Sequence, residues 1–377
     1  MTKPVLVGVM LALAIAAPLA AQQPMAPLPP GPPHFTFDTD TEGWMSMAGD
    51  GILSHATEPA NVKVGDGSLQ YSYQPMAGTM AAVVSQIAGA AEAKSLQGWL
   101  KCSVGTVVVV VASEQDGSSY TRMVYLPTDQ WVRVALSFSD LQLGDDSVDE
   151  NGRLDPDQVQ NVGVLDAASF LGMLPGAEQM FPLDLTAERS LWVDDWALVT
   201  EDLPSHTGLR QADGNREMLI DDLDGPGLHW IPVGVATLIH EREGEDGYVS
   251  LNYNLVGQAV PVAGTLTGVP IGALADMAMF KLRARADTDA ALLILLQEQN
   301  DARYQASVTV TGDNAWQEFA ITPGEFQLAD DATDANGRLD PELVKLIGIL
   351  DISGMLGAAA GAQKLDVTRI AAELGAG

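Results

Sequence analysis

Carboxylates crowd one stretch of this chain and then crowd it again: Asp145–Asp166 reads DDSVDENGRLDPDQVQNVGVLD, and Asp330–Asp351 reads DDATDANGRLDPELVKLIGILD. Several acids around a glycine can wrap a hard cation in oxygen ligands, so calcium is the first chemistry to test. The register of a helix–loop–helix calcium loop does not fit. With Gly152 as the sixth residue, Ser147 stands first and Gln158 twelfth, and in the second copy Ala332 stands first. The pattern favours a solvated loop closed by a helix cap, because Asp155 and Asp340 immediately precede Pro156 and Pro341, the order of an N-cap and a first helical residue.

Other chemistries find no support. His34, His55, His206, His229 and His240 show neither HxH nor HExxH spacing, which argues against a zinc site. There is no GxSxG elbow, no phosphate-binding P-loop and no strand-coupled dinucleotide fingerprint. With 50 Asp and Glu residues, a glycosidase-type acid pair cannot be told from chance proximity, and a small repeated domain favours a non-catalytic role. The single cysteine, Cys102, excludes an internal disulfide framework. It aligns with Leu282 of the second copy and reads as a buried, inert thiol.

The elements that must hold these residues come in duplicate. Asn151 to Pro156 recur unchanged as Asn336 to Pro341, so the chain is a tandem repeat, with a period long enough for each copy to carry its own core. Leu69, Tyr71 and Tyr73 alternate with polar residues, as do Val249, Leu251 and Tyr253, the mark of half-buried strands. Val107–Val111 and Leu292–Leu296 are apolar on both faces, as central strands are. Leu100 and Cys102 align with Phe280 and Leu282 on a core face, leaving Trp99, Lys101 and Ser103 on the wet one. Many short strands and one short helix per copy predict an all-β chain of two tandem antiparallel β-sandwich domains. The expected layout is a signal peptide over 1–21, a Pro-rich linker over 22–34, domain one over 35–200, a linker over 201–216 and domain two over 217–374.

Charge and address narrow the partners. Lys3, the apolar run Val5–Ala17 and the small residues Ala20 and Ala21 have the layout of a secretory signal, so the mature chain is expected to be secreted, periplasmic or extracellular. No later apolar run is long enough to span a bilayer, which argues against membrane insertion. A formal charge of −31 opposes nucleic acid and anionic lipid and tolerates cations or neutral glycans.

Four segments carry a family resemblance: FDTDTEGW from Phe37's strand, the strand bearing Glu114 and Tyr120, WVRVALSFSDL from Trp131, and LWVDDWALV from Leu191. Together they resemble the galactose-binding-like jelly rolls, closest to β-sandwich carbohydrate-binding modules and the complex I intermediate-associated family domain. The resemblance covers nearly the whole mature chain twice and implies a two-sheet jelly roll per copy. It also implies a structural calcium ion between first-strand and last-strand acids, here Asp38 with Asp194 or Asp195, and Asp221 with Asp366. The alternative is that these acids face water at strand ends. Glycan binding needs flat aromatic faces beside polar side chains. On wet parities, Trp99, Lys101 and Tyr125 are the candidates, while Trp44, Trp230, Tyr71, Tyr73 and Tyr253 read as core. The expectation is a secreted, non-catalytic protein that binds a polysaccharide or glycan. The alternative is a structural or protein-interaction scaffold of the cell envelope, with a protein partner.

Overall fold

The computed structural model describes residues 32–47, 51–76, 80–87, 90–144, 147–173, 180–212, 215–358 and 361–375. The expected signal segment, residues 22–31 of the Pro-rich linker, and Asp145 and Asp146 of the first acidic loop lie outside the described residues. Residues 176–182 aside, the described chain divides into two compact units between Ser205 and His206.

Unit one is an antiparallel β-sandwich. One sheet runs Ile52–Ala56, Ser68–Tyr73, Arg189–Val199, Ser95–Cys102, Val132–Ser137, with His34–Phe35 paired to Arg189–Val199. The other runs Gln142–Leu143, Ser119–Leu126, Thr106–Glu114, Val159–Asp166, Ala81–Gln86, Met45–Met47. The alternation read from the sequence sets the faces: Leu69, Tyr71 and Tyr73 point inward to meet Val108, Val110, Val162 and Val164 of the facing sheet. Trp44 closes one end of this core, edge-on to Phe35 at 5.5 Å and to Trp196 at 6.1 Å. Gly98 is required there, since a Cβ would come within 2.6 Å of the Trp196 ring. Cys102 is fully buried, and burial pushes its thiol up to about 12, which leaves it inert.

Unit two repeats both sheets and adds one strand, Gly208–Ala212, to the first. Thr237–Glu243, Asp246–Asn254, Ala362–Leu374, Met277–Ala286 and Gln317–Ile321 form one; Gln327–Leu328, Arg303–Val310, Ala290–Glu298, Val344–Asp351, Ala263–Gly268 and Ile231–Gly234 form the other. Within the stretch expected as a linker, Gly208–Ala212 forms a strand that pairs with Asn215–Asp221. This covers backbone groups that would otherwise stand open at a sheet edge.

The helix expected after each acidic loop shrinks to one turn. Pro341–Leu343 is a 3-10 turn, and Pro156–Gln158 is a turn, each followed at once by a strand. Asp340 makes no side-chain cap, because its carboxylate accepts the Asn336 amide at 2.7 Å, as Asp155 accepts that of Asn151 at 3.0 Å. Gly152 and Gly337 both sit at φ 66, a left-handed conformation that explains the repeated glycine.

The strand ending each repeat delivers an acid to the interior. Asp166 accepts the Tyr73 hydroxyl at 2.5 Å, the Thr106 hydroxyl at 2.7 Å and the Arg189 guanidinium at 3.2 Å, with both members of the ion pair fully buried. Asp351 of unit two accepts the Tyr253 hydroxyl at 2.6 Å and the Ser353 amide at 2.8 Å. Burial first, and these carboxylates next, raise both tyrosines, so the phenols stay neutral donors.

Candidate functional site

The parity of one strand places an acid where a core residue is expected. Val108, Val110 and Ala112 of Thr106–Glu114 face the core, and Glu114, two residues on, is 1% exposed. The hairpin that follows turns through Asp116 and Gly117, the latter at φ 95, and sets the Ser118 hydroxyl 2.8 Å from Glu114 Oε2 and 2.7 Å from Asp116 Oδ1. The repeated loop folds back onto this hairpin. Its Asp155 amide donates to Glu114 Oε1, and Asp149 Oδ2 accepts the amides of Asn151, Gly152 and Arg153 at 3.1, 2.5 and 3.3 Å.

Ligand oxygens of Glu114, Asp116 and Asp149 thereby lie within 4.8 Å of one another. This is an acidic cluster able to hold a metal ion, built from a hairpin and a distant loop together. The loop is therefore more than the solvated cap expected from its sequence; what the calcium-loop register could not show is that its partners come from another strand. Burial raises the Glu114 carboxyl above its ordinary range, with Asp116 and Asp149 adding to the rise against the Asp155 and Ser118 hydrogen bonds. The signal that finds Glu114 is an acid on core parity at the end of an apolar strand, present in both copies.

Unit two keeps the frame and changes the chemistry. Glu298, 0% exposed, accepts the Asp340 amide on Oε1 at 2.7 Å, while Oε2 has no partner. Asn300 stands where unit one has Asp116 and donates its amide to Asp334 at 3.2 Å; Ala302 stands where unit one has Ser118. Asp334 also accepts the Tyr304 hydroxyl at 2.8 Å.

The acids assigned to calcium by resemblance are spread differently. Asp194 is buried, takes the Lys63 and Val64 amides on Oδ2 at 2.6 and 3.0 Å, and leaves Oδ1 without a partner. Asp38 holds the other end of the same loop through the Asp66 amide at 2.7 Å. Asp195 turns away to His34 Nε2, 2.7 Å distant. Asp221 is occupied by the Trp230 indole at 2.9 Å and the Leu223 amide at 2.8 Å. Asp366 faces Arg285 at 2.9 Å and Lys364 at 3.5 Å, cations that already fill the place a metal would take.

The pairings explain this spread. Tyr73 opposes Arg189 and Tyr253 opposes Gln363, so Asp366 is the counterpart of Trp192, and the counterpart of Asp194 is Thr368. Likewise Asp194 opposes Trp99 and Thr368 opposes Arg283, which makes Arg283 the counterpart of Trp99; Leu191 opposes Cys102 and Leu365 opposes Ala286, so Cys102 matches Ala286 and not the expected Leu282. Bulges in both last strands shift the registers that a gapless alignment assumes.

Of the residues predicted to meet a glycan, Trp99 and Lys101 share the outer face of one sheet, and Tyr125 lies on the other sheet at 7% exposure. Trp99 is half-buried with the Lys63 ammonium 4.4 Å from its ring centre and exposed Arg133 directly opposite it. Lys101 is buried and tied down: it donates to the Ala60 carbonyl at 3.0 Å and Asn61 Oδ1 at 3.2 Å, over the Trp192 ring at 4.8 Å. Trp192 opposes Gln70, so this outer face carries two indoles among side-chain amides, hydroxyls and cations. The equivalent face in unit two presents Trp316 beside Tyr248 at 5.8 Å, with Arg285 4.5 Å from the Trp316 ring centre.

No family model and no curated protein matches the chain. Among solved structures it is similar to the family 11 carbohydrate-binding module of the cellulosomal cellulase Lic26A-Cel5E of Clostridium thermocellum, at 17% identity over 42% of this chain and 95% of that one, with a TM-score of 0.34. It is also similar to the N-terminal CBM22-1-CBM22-2 tandem domain of Paenibacillus barcinonensis Xyn10C, at 13% identity over 91% and 97%, with a TM-score of 0.31. A third likeness is to TmCBM61 in complex with beta-1,4-galactotriose, at 10% identity over 42% and 88%, with a TM-score of 0.28. At these TM-scores the likenesses do not bear on the site; the fold stands on the sheets and registers themselves.

Proposed function

We propose that the protein is an exported, non-catalytic carbohydrate-binding protein that holds a glycan against the outer face of the sheet bearing Trp99. The observation that carries this reading is the half-buried Trp99 ring set among Arg133, Gln97 and the exposed Lys63 on one sheet face. An indole face packs against the apolar side of a pyranose ring, and neighbouring amide and guanidinium groups reach its hydroxyls. Lys63 is exposed and can swing off the ring when a sugar arrives. Lys101 acts from beneath as a positioning residue, bracing Trp192 and the Ala60–Asn61 turn. Tyr125, buried on the other sheet, has no part in this face. Its burial supports the second reading, a scaffold that binds another protein.

Affinity electrophoresis of the mature protein through a panel of soluble polysaccharides separates the two. Glycan binding requires retardation by at least one polymer and its loss in Trp99→Ala with unchanged thermal unfolding. Free migration through every polymer removes the glycan reading and leaves the scaffold.

A further inference from the structure

Three carboxylates held within 4.8 Å of one another repel unless something positive sits among them. Among the described residues, the hydrogen bonds that reach the Glu114–Asp116–Asp149 cluster come from backbone amides and the Ser118 hydroxyl, with the Tyr120 hydroxyl beside them. Ser118 has one hydroxyl hydrogen and two carboxylate oxygens in contact, so one of those contacts sets oxygen against oxygen.

A second observation is independent of the acids. Tyr120 is 1% exposed, and its buried hydroxyl is directed among Asp149, Glu114 and Asp155 and completes no hydrogen bond of ordinary geometry. A buried hydroxyl left in that state costs about 1–3 kcal/mol unless a ligand or its water takes it up. The repeat shows what a satisfied version looks like. There Tyr304 bonds Asp334 at 2.8 Å, and Asn300 reaches the same carboxylate with its amide, replacing one negative charge by a donor.

We propose that the hairpin–loop pocket of unit one binds one divalent cation through Glu114, Asp116 and Asp149, and that in unit two the Asn300 amide stands in for that cation. The donors are all oxygen, with neither His nor Cys in the cluster, which selects a hard ion over zinc. Ligands drawn from a turn and a loop suit the adaptable coordination of calcium better than the strict octahedron of magnesium. The site is distinct from the Trp99 face and does not depend on the glycan reading.

The test is calcium titration of the chelator-stripped full chain by calorimetry, with the reciprocal variants Asp116→Asn and Asn300→Asp. Wild type should bind one ion that Asp116→Asn weakens at least about tenfold, since affinity follows ligand charge count. Asn300→Asp should bring the total to two. Asp116→Asn carries into unit one a side chain that the same turn of unit two already accommodates; if it nonetheless unfolds, Asp149→Asn gives the same readout. No calcium binding by wild type, or an ion indifferent to both variants, overturns the site. A second unit that gains nothing from Asn300→Asp overturns the role given to Asn300.

Discussion

The two units place their shared strands in the same order and then differ in what they do with charge. In unit one the interior Asp166 meets Arg189, and the hairpin gathers Glu114, Asp116 and Asp149. Unit two keeps Asp351 and Glu298 but puts Gln363 where Arg189 stands, Ala290 where Thr106 stands and Asn300 where Asp116 stands. Unit one thus answers the buried Asp166 with the positive charge of Arg189. At these positions unit two sets neutral groups instead. The backbone tolerates both, which teaches that these buried acids are held by local hydrogen bonds first, and that the countercharge is a separate device.

Breaking the Asp166–Arg189 pair gives the largest expected effect. Arg189→Gln copies the unit-two arrangement at that one position while leaving Thr106 and the rest of unit one tuned to an ion pair. Removing one partner of a buried pair costs about 3–5 kcal/mol, because the other charge stays buried. The denaturant-induced unfolding of unit one should move down by that amount while unit two stays put. An unmoved transition would mean that Asp166 is satisfied by Tyr73, Thr106 and the Ala168 amide alone.

Calcium sharpens the same contrast. An ion bound only to native unit one, at a hundredfold excess over its dissociation constant, adds about 2.7 kcal/mol to that unit. Scanning calorimetry should show one transition rising with calcium and falling with chelator, and the other indifferent to both. Two transitions that rise together would place ions in both units.

On the outer faces the contrast concerns aromatic access. Trp99→Ala should weaken glycan retention at least about tenfold, which corresponds to about 1.4 kcal/mol. Trp316→Ala should leave it unchanged, because Arg283 and Arg285 lie 5.0 and 4.5 Å from that ring centre and Tyr248 closes its edge. Loss of retention in both variants would make the two faces equal binders.

What the sequence disclosed followed from short-range pattern. Alternation placed Tyr71, Tyr73 and Tyr253 in the interior, the repeated aromatics placed Trp44 and Trp230 there, and the repeat itself announced two sandwiches. What it hid depended on register and on contacts between distant segments. Bulges near Asp194 and Thr368 slide one last strand against its neighbour, so a gapless match gives Asp366 the role of Asp194, whose register counterpart is Thr368. The acidic loop was visible, but Glu114 joins it from a strand well before it, and no spacing rule within the loop can name that partner. Trp192 sits two residues from Asp194 and shares its face, a parity legible only once the strand pairings are known.

The smallest effect separates the two buried glutamates by sign. Burial raises both Glu298 and Glu114 above the ordinary carboxylate range, so each native unit binds its proton more readily than its unfolded chain does. Stability from such a group is fully present below the unfolded pKa and is lost as pH rises through the folded one. Glu298→Gln should therefore stabilise unit two slightly at neutral pH and do nothing in acid, where the carboxyl is neutral in both states. Glu114→Gln should do the same to unit one in chelator. With calcium present its sign should reverse, since the substitution then removes a ligand as well as a buried charge. Thermal unfolding of the two variants across pH, with and without calcium, checks the reversal. A Glu114→Gln protein that gains stability under both conditions would show that the pocket of unit one, like that of unit two, works without an ion.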